Sequence, residues 1–347
     1  MKKFSLFRLS LLVLMVAFAL VVTGCNDAST VPPSSSAASD PVTSSSAPED
    51  AREEVEITDL YGTVKVPVNP QRVVALDNRT FATLYDWGVE LAAAPKAIMP
   101  AGLPYKDDDS IPDIGSHNDP NLEILAAANP DLVINGQRFA GRQDAIKELV
   151  PEAVVINLNF DVSVNAESAG TNLVNGFRDF TLSLGKIFEK ETEAQKLVSD
   201  FNDAIDQVKA VYDKEETVMT VIVSGGNIGF SAPGSGRVWG PLYDIFDWTS
   251  SLYVDGASSD HQGDEISIEA IAQSNPDWIF VLDRDAATSS ADGSMTASDV
   301  ISNSPALQNV TAVIEGQIFY APSDTYTNES IQTFTKLFKD LAVVLAK

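Results

Sequence analysis

Arg138, Arg237 and Arg284 each fall in a loop that follows an expected strand or a Gly-rich turn. A guanidinium stays charged at physiological pH, offers a planar fork of donors to anionic oxygens, and stacks on flat rings. A lone arginine would be expected to pair at the surface with one of the 49 acids. Three in such loops point instead to a compact anion with aromatic faces. Phe139, Trp239 and Phe230 flank these arginines and are expected to pack on the rings. His261 and Tyr326 add an imidazole and a phenol, side chains able to donate to a metal ion. Arg79 and Arg142 are read as solvated, His117 as a residue of a rim loop, and Tyr320 as the end of a strand.

The elements that position these groups come from an internal repeat. Leu122–Ala126 followed by Asn129-Pro130-Asp131 and Leu132–Ile134 returns as Ile268–Ala272 followed by Asn275-Pro276-Asp277 and Trp278–Phe280, at an offset of 146. Each copy reads as a short helix, stopped because the residue before proline avoids the helical region, and then a buried strand. Arg138 maps onto Arg284 at the same offset, so both leave corresponding strands at the carboxyl end, where ligands of open α/β sheets bind. Arg72–Leu76 and Val218–Val223 read as further strands, Thr80–Gly88 as a helix, and Trp278 as core. Glu191–Tyr212 carries Leu197, Val198, Phe201, Ile205, Val208 and Val211 on one helical face. The expected fold is α/β, with two Rossmann-like lobes, 53–190 and 214–347, joined by one long helix, 191–213, and a ligand cleft between the lobes.

Composition narrows the function. The chain has 347 residues, 44% of them hydrophobic, enough for about two domains. Its formal charge of −26 repels phosphate and excludes a sequence-independent nucleic-acid binder. Two histidines and one cysteine are too few for a dedicated structural zinc site. Lys2, Lys3 and Arg8 precede an apolar stretch, Leu11–Val22, shorter than a membrane-spanning helix needs, and so residues 1–24 read as a signal peptide. Their removal takes away three basic residues and no acids, leaving −29. Residues 25–52 begin with Cys25 and continue as a Ser/Pro-rich tether. Gly234-Ser235-Gly236-Arg237 lacks the Walker lysine and the dinucleotide fingerprint, and no Gly-x-Ser-x-Gly elbow is present, so neither a nucleotide site nor an esterase is expected.

Val22-Thr23-Gly24-Cys25 resembles the lipobox of bacterial lipoproteins. With the tether and the two lobes, the chain from about Ile57 onward resembles the helical-backbone class of substrate-binding proteins of ABC transporters, which carry ferric siderophores, haem or cobalamin. Gly115-Ser116, the Gly234–Arg237 loop, Asp260-His261-Gln262-Gly263 and Val281-Leu282-Asp283-Arg284 are similar to the branch that binds catecholate and petrobactin-type siderophores. The resemblance implies a lipid-anchored receptor on the outer face of the cytoplasmic membrane, with lipid on Cys25. It would act as a monomer and not as an enzyme. It would bind an iron(III)–siderophore complex, with no intrinsic cofactor, and deliver it to an ABC permease and its ATPase. Arg138, Arg237 and Arg284 would hold the anion; His261 and Tyr326 would ligate iron if the siderophore is tetradentate; and Glu123 and Glu269, at matching positions of the two lobes, would dock to the permease. Haem, a hydroxamate siderophore or ferric citrate are the alternative cargoes. A siderophore-processing hydrolase or a surface adhesin are the alternatives of another class.

Overall fold

The computed structural model describes residues 53–163, 166–288 and 295–347. The signal peptide, Cys25 and the tether lie outside the described residues. A hairpin of β1 (Glu54–Asp59) and β2 (Gly62–Pro67) opens the folded part. The N-terminal lobe is then built on a four-stranded parallel sheet of β3 (Val73–Ala75), β4 (Leu91–Ala93), β5 (Leu132–Asn135) and β6 (Val154–Asn157), in the order β4-β3-β5-β6. The C-terminal lobe uses β7 (Thr217–Ser224), β8 (Asn227–Phe230), β9 (Thr249–Ser250), β10 (Trp278–Asp283) and β11 (Ile318–Tyr320). There the order is β11-β10-β7-β8, with β8 antiparallel and β9 beside the start of β7.

Burial on both faces explains why these strands are nearly continuous runs of apolar residues. Along β7 and β10 the side chains alternate between two cores. Val218, Ile222, Trp278, Phe280 and Leu282 enter one, while Met219, Val221, Val223, Ile279 and Val281 enter the other. Trp278 is therefore core, as its position after Asn-Pro-Asp implies.

The repeat is built as read. Helices Leu122–Ala127 and Ile268–Ser274 precede β5 and β10. Asn129 and Asn275 both take left-handed backbone, at φ 45° and 43°. Asp131 accepts the Gln71 and Arg72 backbone N–H groups ahead of β3, and Asp277 accepts the N–H of Thr217, the first residue of β7. Each acid thus ties its strand to the parallel neighbour that precedes it in the chain.

The link between the lobes differs from expectation. Glu191–Val211 is a helix, but of its buried residues, Val198, Phe201, Ala204, Ile205 and Val208 belong to the C-terminal core and none joins the N-terminal core. The helix that serves both cores is the one before it, Ala169–Ile187. Leu173 and Phe177 at its start pack in the C-terminal core, while Phe180, Leu184 and Ile187 at its end pack in the N-terminal core. Gly170 allows the first turn to press on the Gly240–Phe246 helix, since a Cβ there would lie 2.8 Å from the Pro241 carbonyl oxygen. Ser168 caps this helix by accepting Thr171 N–H at 3.3 Å. The chain therefore returns from the second lobe to the first through Ala169–Ile187 and runs back through Glu191–Val211. Among the described residues no helix is long and apolar enough to cross a membrane.

Candidate ligand cleft

A cavity of about 310 Å³ opens where the two lobes meet, at the low end of the range for small-molecule sites. The N-terminal lobe lines it with Arg79 and Gln137, and the crossing segment with Asn159–Ser163. The C-terminal lobe supplies Ser235–Val238 and Ser259, and Leu173, Phe177 and Phe334 form an apolar floor. Glu329, just ahead of the C-terminal helix Ile331–Leu345, closes it. The strands explain this placement: Arg79 and Gln137 follow the carboxyl ends of β3 and β5, and the Ser235–Val238 turn follows β8.

Arg237 is the best positioned of the three expected arginines. Its Nη2 donates to Glu329 Oε1 at 2.6 Å and to the Tyr326 carbonyl at 3.1 Å, and its guanidinium carbon lies 4.4 Å from the Tyr326 ring centroid. Arg138 stands behind the cavity wall, 4.0 Å from Glu329 Oε2. Arg284 donates from Nε to the Tyr326 hydroxyl at 3.2 Å and from Nη1 to Ser224 at 3.1 Å. Tyr326 thus packs against two guanidinium groups and does not line the cavity. Its hydroxyl donates to the His261 carbonyl at 3.1 Å.

His261 and Tyr326 are consequently brought together through a backbone oxygen, and the imidazole itself points into solvent with its side chain 52% exposed. Both donors would have to turn to share a metal ion. Tyr320, at the end of β11, packs with the other core of the lobe, so Tyr326 is the tyrosine on the cleft side.

Four readings need correction. Phe139 and Trp239 were expected against the ligand, and both are fully buried. Phe139 belongs to the N-terminal core. Trp239 packs with Trp248, Phe280 and Phe319 at centroid distances of 6.5, 5.9 and 6.4 Å. Phe139 follows Arg138 directly and Trp239 stands two residues after Arg237, and in both tight turns the arginine faces the cleft side while the aromatic ring enters the core. Phe230, also fully buried, is core as well. Conversely Arg79, read as solvated, is buried in the cleft. Its guanidinium lies 3.7 Å from the Phe160 ring centroid and donates to Asn159 Oδ1 at 3.1 Å. Arg142 caps the rim by donating to the His117 carbonyl at 3.1 Å.

Electrostatics are organised around two carboxyls that the sequence did not single out. Burial alone would push Glu329 up, but Arg237, Arg138 and Arg79, with a hydrogen bond from Gln137, outweigh it and hold the acid below its usual range. Burial pushes Asp77, behind Arg79, up, and burial also pulls Arg79 down while Asp77 and Glu329 support its charge. His117 is lowered by burial and then by Arg138, Arg142 and Arg237. Backbone strain sits at the same place: Gln137 and Val238, beside Arg138 and Arg237, have φ of 28° and 63°, costly for residues with a Cβ and common where a site demands a fixed geometry. The result is a cleft with fixed cations, flat aromatic and apolar walls, and acceptors for orientation.

A model of the periplasmic binding protein family matches residues 73–325. The petrobactin-binding protein YclQ of Bacillus subtilis is 28% identical over the full length of both chains. Its crystal structure superposes with a TM-score of 0.68 at 26% identity, covering 85% of this chain and all of that one. The ferric-anguibactin-binding protein FatB of Vibrio anguillarum is 29% identical over 81% of this chain and 84% of its own. The siderophore-binding protein BauB, solved with two acinetobactin molecules and ferric iron, gives a TM-score of 0.71 at 25% identity, over 85% of this chain and all of its own. By the family model, the two-lobe fold and the cleft between the lobes, this chain belongs to the periplasmic binding protein family.

Proposed function

We propose that the chain is an extracytoplasmic receptor that captures an iron(III)–siderophore complex of catecholate or mixed catecholate type and delivers it to an ABC importer. It binds and does not transform its cargo. The observation that carries this reading is the convergence of Arg79 and Arg237, with Arg138 behind the wall, on one cleft lined by Phe160, Phe177 and Phe334. A ferric catecholate is an anion with flat aromatic faces; guanidinium groups meet its charge and its rings together, and the phenylalanines remove apolar surface from water. The names of YclQ, FatB and BauB point to ferric siderophores of this general kind. Arg284 belongs to the site through Tyr326, which it orients. His261 and Tyr326 would ligate iron only for a siderophore that leaves two positions open, after both side chains reorient. Lipid on Cys25 would hold the receptor at the outer face of the cytoplasmic membrane as a monomer, with Glu123 and Glu269 presented to the permease.

Titration followed by tryptophan fluorescence tests the cargo. Ferric catecholate and mixed catecholate–citrate complexes are expected to quench, and Arg79→Ala and Arg237→Ala each to weaken binding by about tenfold or more, the scale of one charge-assisted contact. Quenching by haem or a ferric hydroxamate alone, or unchanged affinity in both variants, would overturn the reading.

A further inference from the structure

A cleft meant for an anion contains an anion of its own. Glu329 lines the cavity with its side chain only 9% exposed, within 2.6 Å of Arg237 and 4.0 Å of Arg138, and takes a hydrogen bond from the Gln137 amide. Asp77, the other carboxyl near these arginines, is buried behind Arg79, accepts that residue's backbone N–H at 2.9 Å, and does not line the cavity.

The carboxylate is held in place by its own backbone. The next residue, Ser330, caps the Ile331–Leu345 helix by accepting Thr333 N–H at 3.2 Å, so Glu329 sits at the positive end of a long helix as well as beside the arginines. On the lobe opposite, Asn78 donates to the Thr327 carbonyl at 2.9 Å and Thr83 to Gln332 at 3.0 Å, fixing the segment on both sides of Glu329. An entering ligand therefore meets Glu329 together with the arginines. Around the cavity, Arg79 and Arg237 with Arg138 behind them are three cations, and the buried Glu329 and the exposed Asp161 are two carboxylates, so the sum is about +1, not +3, and Glu329 is the carboxylate in contact with the arginines.

We propose that Glu329 is a specificity residue that sets how much negative charge the cleft accepts, favouring ferric complexes of low charge over a fully charged tris-catecholate. The proposal rests on the reading that the cleft takes a ferric siderophore. Iron(III) with two catecholates carries about −1 and with three about −3, and each ligand charge is repelled by the carboxylate across a partly desolvated gap, where an effective dielectric near 20 applies. At separations of several ångströms that repulsion is worth on the order of tenfold in affinity per ligand charge.

The test compares dissociation constants of wild type, Glu329→Gln and Asn159→Asp for an iron(III) complex of a tetradentate bis-catecholate and one of a hexadentate tris-catecholate, with thermal melts to show that each variant is folded. Glu329→Gln keeps the shape and an acceptor for Arg237 but removes the charge. It should tighten the tris-catecholate relative to the bis-catecholate, by on the order of a hundredfold. Asn159→Asp keeps the acceptor for Arg79 and adds a charge, so it should shift the preference the other way even if Glu329→Gln fails to fold. Equal changes for both complexes in the folded variants would show that Glu329 only positions Arg237, and would overturn the proposal. If wild type binds neither complex, the receptor reading fails first and the proposal falls with it.

Discussion

Trp239 and Arg237 stand two residues apart with opposite duties, and substitution should separate them. Trp239→Ala empties a cavity among Trp248, Phe280 and Phe319, and is expected to cost about 3–5 kcal/mol in urea unfolding. Trp239→Phe should cost much less, because the indole N–H has no acceptor in the core and its loss removes a buried unsatisfied donor. If Trp239→Ala instead left stability intact and abolished binding, the residue would be a ligand contact after all. Glu329 carries a stability of its own, and its sign follows from its pKa. The folded-state value is held below that of the unfolded chain, so the contribution is fully present above the ordinary glutamate value of about 4.3. It is lost as pH falls from there through the folded value. Asp77, raised by burial, works in the opposite sense and titrates in both proteins. Comparing wild type with Glu329→Gln therefore isolates Glu329: wild type should be the more stable at neutral pH, and its margin should shrink as the solution is acidified below about pH 4. A margin that does not change with acid would mean that the arginines do not stabilise the carboxylate.

Helices Leu122–Ala127 and Ile268–Ser274 present Glu123 and Glu269 in their first turns, and both glutamates are exposed. A carboxylate there also suits the helix dipole, with Asn121 and Ser267 already serving as caps. Reversing both to lysine should abolish uptake by whole cells while leaving affinity for the ferric complex intact, if the pair docks to a permease. Weakened ligand binding in the isolated protein would show that the helices act on the cleft instead. These elements were legible in the sequence because everything that makes them is local: the Asn-Pro stop, the acid that ties the strand to its neighbour, and the apolar run. The connecting helix was not, since Ala169–Ile187 and Glu191–Val211 both carry an apolar face and only packing decides which one meets two cores. Arg79 was hidden for the same reason. It follows the carboxyl end of β3 as Arg138 follows that of β5, a positional signal that was available, but its burial depends on Phe160 arriving from a segment far along the chain. Glu329 has no local signature, being a single acid ahead of an amphipathic helix.

At the scale of the whole molecule, the −26 charge and the cationic cleft pull a ferric anion in opposite directions. Distance decides between them. At physiological salt the Debye length is about 8 Å, so the distant acids are screened while Arg79 and Arg237, which line the cavity, are not. At about 10 mM ionic strength the screening length is about 30 Å, and the surface as a whole repels the approaching complex before the cleft can hold it. The association rate measured by stopped-flow quenching should therefore rise as salt is increased from about 10 to about 150 mM, the opposite of an electrostatically steered encounter. The dissociation rate should change little by comparison, because it is governed by contacts already formed inside the cleft. An association rate that falls with added salt would mean that the field at the mouth of the cleft is positive, and that local arginines overcome the acidic surface even at long range.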